Sequence, residues 1–154
     1  MKLKPLITLC ALCAALPFYP AHADSGAQFD FGAPASAAQV TRTIHVSADD
    51  NMRLVFDAED LHYGDVVRFV VSNHGKMKHE FGVADEAGQR EHAAEMMHMP
   101  DMMHDDPNVI ALDPGATRSL IWSFKHVRHG QLVFACNVPG HYAAGMVKRI
   151  TLKK

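Results

Sequence analysis

The sequence predicts an all-β domain, a β-sandwich of about eight strands carrying one helix/loop insertion. Three observations lead there. Short apolar, β-branched runs recur along the chain, clusters of Gly, Pro, Asn and Asp separate them, and only the stretch 85–107 breaks the rhythm. Short strands at regular spacing with a turn signal between them are the pattern of a sandwich.

The first candidate strand covers 39–46, with Val40, Ile44 and Val46, and the second covers 52–57, with Met52, Leu54 and Phe56. Successive strand residues point to opposite faces, so alternate apolar positions give one face to a core. The third, 65–72, is nearly continuous (Val66, Val67, Phe69, Val70, Val71), and the fourth is 79–84. Tyr63-Gly64-Asp65 and Asn73-His74-Gly75 supply turns on either side of the third. Next comes the insertion, where Glu91-His92-Ala93-Ala94-Glu95-Met96-Met97-His98-Met99 favours helix. Pro100 should stop that helix near Met99, and 101–106 reads as loop. Strands resume at 108–112, 117–124, 131–136 and 145–153, punctuated by Asp113-Pro114-Gly115 and His129-Gly130. Trp122 and Phe124 fall at core positions.

Ahead of these elements, Lys2 and Lys4 precede the apolar run 6–16, and Ala21-His22-Ala23 follows it. This is the pattern of a secretory signal peptide, residues 1–23, cut after Ala23. The apolar run is shorter than the roughly 20 residues that span a bilayer, so no membrane anchor is expected. Residues 24–38, rich in Ala, Gly, Ser and Pro, read as a flexible lead-in to a domain over 39–154. Cleavage leaves 131 of the 154 residues, enough for one domain with a hydrophobic core. It removes two of the 15 cationic residues, leaving 13 against 17 acidic ones. A chain this acidic, with no basic block, is not built for nucleic acid.

Cleavage also removes Cys10 and Cys13, so Cys136 is the one thiol left in a chain bound for an oxidising compartment. A single thiol cannot close an internal disulfide; it pairs between molecules, reacts, or ligates metal. Its surroundings point to metal. In Cys136-Asn137-Val138-Pro139-Gly140-His141-Tyr142-Ala143-Ala144-Gly145-Met146 a thiol, an imidazole and a thioether recur at five-residue intervals after a strand. His79 opens another strand; His74, close by, competes with it. Two His, one Cys and a weak axial Met form a type 1 copper site. Sulfur suits Cu(I) and nitrogen suits Cu(II), so a rigid mixed set serves both states.

These residues resemble the cupredoxin family, from about Gln39 to Lys154. The likeness rests on Tyr63-Gly64-Asp65-Val66-Val67-Arg68-Phe69 leading to Lys78-His79-Glu80-Phe81, on Asp113-Pro114-Gly115-Ala116-Thr117, and on the loop from Cys136 to Met146. The loop spacing looks like the rusticyanin and stellacyanin type. The resemblance implies a Greek-key β-sandwich with copper at one end, held by His79, Cys136, His141 and Met146. Glu80 is a departure, since many small electron-carrying members place Asn or Ser after the first His ligand.

A second signal lies in the insertion. Met96, Met97, Met99, Met102 and Met103 fall within eight positions, among His92, His98 and His104. On a helix, His92, Met96 and Met99 would share a face. Thioethers are soft donors suited to Cu(I), so the cluster offers a second, more labile copper site. The alternatives are a pliable apolar patch packed on the sandwich and a docking surface.

Two functions follow. The first is a periplasmic copper-handling protein that binds, buffers or redox-cycles copper and contributes to copper tolerance, as the resemblance to periplasmic copper-tolerance cupredoxins implies. The second is a soluble electron carrier working with a periplasmic redox partner. An enzyme is not expected, because copper oxidases and nitrite reductases need further copper centres with clustered His ligands.

Overall fold

In the computed structural model, which describes residues 28–99 and 106–154, nine strands form two sheets. The strands are β1 (Ala33–Pro34), β2 (Arg42–Asp49), β3 (Arg53–Phe56), β4 (Val66–Asn73), β5 (His79–Ala84), β6 (Val109–Leu112), β7 (Thr117–Ser123), β8 (Gln131–Ala135) and β9 (Val147–Thr151). One sheet has the order β1-β7-β4-β2-β3, the other β6-β5-β8-β9. β2 and β4 run parallel, while the other paired strands are antiparallel. Eight strands lie where the apolar runs predict them.

Alternation explains the layering. Along β2, Ile44, Val46 and Ala48 are buried while His45 is exposed, so the strand runs on to Asp49 rather than ending at Val46. In the second sheet every residue of β5 is buried, and β8 is buried from Leu132 onward. Between the sheets Phe56, Phe69, Phe81 and Phe134 pack with ring centroids 5.2–6.5 Å apart. Burying one such side chain contributes about 1.5–3 kcal/mol, so this cluster carries much of the core. Trp122 and Phe124 are fully buried, as their positions predict.

The lead-in has regular structure that its composition does not announce. β1 pairs with β7, and residues Ala37–Gln39 form a 3-10 turn. Phe29 and Phe31 pack on Trp122, whose Nε1–H donates to the Phe31 carbonyl at 3.1 Å. The expected signal peptide lies outside the described residues.

The insertion forms helix α1, Glu86–His98, which begins five residues before Glu91. Asp85 caps it, accepting the Gly88 N–H at 2.8 Å. Its end agrees with the Pro100 signal: Met99 leaves helical geometry at φ −140°, ψ 64°, as a residue before proline tends to. Gln89, His92 and Met96 form the buried face. Gln89 Nε2 donates to the carbonyls of Gly82 (3.3 Å) and Val133 (2.8 Å), which fastens the helix to β5 and β8. No helix among the described residues is long and apolar enough to cross a membrane.

Candidate metal centre

The end of β8 and the start of β5 bring together three of the four sequence-predicted residues, His79, Cys136 and His141, and the fourth, Met146, closes the same loop through its backbone. Cys136 follows the last residue of β8, and its N–H donates to the Met146 carbonyl at 3.1 Å, closing the loop 136–146 at its base. Inside the loop His141 N–H donates to Val138 O (2.9 Å) and Met146 N–H to His141 O (3.0 Å). Gly140 and Gly145 have φ of +90° and +101°, which residues with a Cβ rarely adopt. These turns aim His141 back at Cys136.

Nδ1 of His79 lies 3.2 Å from Nδ1 of His141, and Sγ of Cys136 lies 3.4 Å from the latter. The three donor atoms sit within 4.8 Å of one another. His79, Cys136 and Met146 are fully buried, and His141 is nearly so at 9% exposure. His74 is exposed and outside this group. Glu80 N–H donates to Cys136 Sγ at 3.2 Å. His79 Nε2 faces Asp50 Oδ1 at 3.3 Å.

The donor set fits copper. Atoms bound in one plane to an ion at about 2 Å stand roughly 3.5 Å apart, close to the spacing found here. Burial pushes the Cys136 thiol up to about 11, against the N–H groups of Glu80 and Val138 that favour thiolate. Burial also lowers the His141 pKa, helped by neighbouring His79. The imidazole is thus held neutral, the form that ligates metal, while the thiol needs a cation to displace its proton at neutral pH.

The Met/His segment is divided by the fold. His92 and Met96 are buried on one face of α1, whereas Met97 (68% exposed), His98 and Met99 are exposed. Met99 does not continue the His92–Met96 face, because the helix ends before it. Met102, Met103 and His104 lie outside the described residues. His92 Nε2 faces buried Glu80 Oε2 at 3.2 Å, and its Nδ1 faces Glu95 (3.7 Å) and Asp106 (3.5 Å). His92, Glu95 and Asp106 form the second group able to hold a metal among the described residues.

Three residues around the site, Asp50, Gln89 and Asn73, escaped sequence reasoning, and Glu80, singled out there as a departure from the family pattern, gave no sign that its carboxylate meets His92. Asn73 orders the approach to β5: its Nδ2 donates to Met77 O (2.8 Å) and Leu112 O (3.0 Å), and its Oδ1 accepts the Gly75 N–H (2.8 Å). The Asn-His-Gly turn signal was the only hint of it.

Comparison with known proteins also points to copper. Residues 42–153 match the model of the copper-binding proteins of the plastocyanin/azurin family. The copper-resistant cuproprotein CopI of Vibrio cholerae is 39% identical over 124 residues, covering 80% of this chain and 72% of that protein. CopI of Rubrivivax gelatinosus is 38% identical, covering 86% and 79%. Among solved structures, auracyanin B superposes with a TM-score of 0.59 at 22% identity, over 80% of this chain and 96% of that one. The auracyanin of Roseiflexus castenholzii gives 0.58 at 22% identity, over 75% and 99%. Both support the sandwich fold.

Proposed function

Because the chain belongs to the plastocyanin/azurin family of copper-binding proteins, we propose that it is a periplasmic copper-handling protein contributing to copper tolerance, with His79, Cys136, His141 and Met146 as a type 1 copper site. One observation carries the reading: two ring nitrogens and a thiol sulfur converge within 4.8 Å inside the fold. The similarity to two proteins named for copper resistance sets the physiological direction.

Bound copper supplies a one-electron Cu(II)/Cu(I) couple. The residues do the rest. His79 and His141 present Nδ1 atoms, Cys136 presents sulfur, and the buried Met146 would supply a weak thioether donor. The walls exclude water from all but the His141 edge, and the loop hydrogen bonds hold the donors at fixed spacing. A fixed set favours neither oxidation state by rearrangement, so copper can be held, buffered or cycled.

The reading gives the Met/His-rich segment a further copper-binding capacity, with His92, Met96, Met97, His98, Met99, Met102, Met103 and His104 as its candidate donors. Support comes from exposed Met97 and Met99.

Electron transfer is the second reading, favoured by one feature. His141 is the most exposed of the four ligands, and Val138, Pro139, Tyr142 and Ala143 beside it border an open, largely apolar cavity of about 270 Å³. Growth of a deletion strain across a copper series separates the two: sensitivity at high copper supports copper handling. Normal growth on copper with an impaired respiratory or reductive pathway would contradict it and support the carrier.

A further inference from the structure

The His79 ring is held at its outer edge by a residue from the opposite sheet. Asp50 lies in the turn between β2 and β3, and its Oδ1 stands 3.3 Å from His79 Nε2. The carboxylate is itself fixed: Oδ2 accepts the Lys76 N–H at 2.8 Å and Oδ1 the Met77 N–H at 3.2 Å. Gly75 passes so close that a Cβ there would sit 2.0 Å from Oδ1, so only glycine lets the loop close on this side chain. Asn73 locks the same loop from its other side through Gly75 and Met77. The loop thus leaves the carboxylate little choice of position.

The contact sets the state of the imidazole. A neutral ring carries its proton on one nitrogen and a lone pair on the other. A carboxylate facing Nε2 selects the tautomer with the proton there and leaves the Nδ1 lone pair turned toward Cys136 and His141. Ligating histidines commonly donate their remote N–H to a carboxylate in this way, which fixes ring orientation and raises basicity. A side-chain carboxylate is ordinarily anionic at neutral pH, and the N–H groups of Lys76 and Met77 donate to this one.

We propose that Asp50 is a positioning residue of the metal centre: it holds His79 in the ligating tautomer, and its negative charge favours the Cu(II) state over Cu(I). The assignment rests on the ligand set proposed above. It implies a lower midpoint potential than the same ligands would have beside a neutral group.

The test uses the copper-loaded full chain with Asp50→Asn and Asp50→Ala. Asparagine keeps an oxygen acceptor without the charge; alanine removes both. Both variants should retain the thiolate-to-Cu(II) absorption and show a raised midpoint potential. Asp50→Ala should also bind Cu(II) about 10–100-fold more weakly, with a smaller loss in Asp50→Asn. A purely structural role would lower thermal stability and leave the potential of the folded, copper-loaded protein where it was. Potentials equal to wild type in both variants overturn the assignment. If Asp50→Ala does not fold, the potential of Asp50→Asn alone decides. Wild-type protein without Cys136-dependent absorption would instead overturn the ligand set, and this inference with it.

Discussion

The side-chain amide of Asn137 donates to Oε1 of Gln89 across 2.7 Å, joining helix α1 to the residue that follows Cys136. Since Gln89 also donates to Gly82 and Val133, one buried side chain ties the insertion, two strands of the second sheet and the ligand loop. Gln89→Leu would leave the Asn137 amide buried with that partner gone, at a cost of about 1–3 kcal/mol for each group so stranded. Urea unfolding of the metal-free protein should show a loss of roughly 2–3 kcal/mol; an unchanged midpoint would contradict the role given to Gln89.

His92 makes stability depend on pH. Burial disfavours its charged form, but the Glu80 carboxylate, with Asp106 and Glu95 beyond it, outweighs this and raises the pKa. A raised folded-state pKa contributes stability that is fully present below the unfolded value of about 6.5 and is lost as pH rises through the higher folded value. His92→Gln should therefore destabilise metal-free protein more at pH 6 than at pH 9. Equal losses at both pH values would show that the pairing with Glu80 contributes no charge-dependent stability.

Much of this was legible because it is local. Alternating burial along β4 follows from Val67, Phe69 and Val71, and the loop from Cys136 to Met146 carries three of its four proposed ligands within eleven residues. Pro100 marks the end of α1 in the sequence itself, whereas its start at Asp85 was not legible there, because residues 86–90 have no apolar period and include Gly88, a poor helix former. β1 was invisible, because a two-residue strand has no period and forms only when β7 and Trp122 are already in place. Asp50 was invisible for the same reason: an aspartate in a turn looks ordinary until the fold sets His79 against it, 29 residues away in sequence.

The Met/His segment is tested by stoichiometry. Wild-type protein titrated with Cu(I) should take up more than one equivalent. Replacing Met96, Met97, Met99, Met102 and Met103 together should remove the excess while leaving the visible absorption of the Cu(II) form intact. One equivalent in both proteins would contradict a second site. Loss of the visible band in the variant would place these thioethers in the primary site instead.

The central claim is that Cys136, with His79, His141 and Met146, holds type 1 copper, and the visible spectrum of Cu(II)-loaded protein tests it most directly. Wild type should show an intense thiolate-to-Cu(II) band, and Cys136→Ala should lose it entirely while keeping the sandwich folded by circular dichroism. A band that survives in Cys136→Ala, or that wild-type protein never shows, would contradict the ligand set.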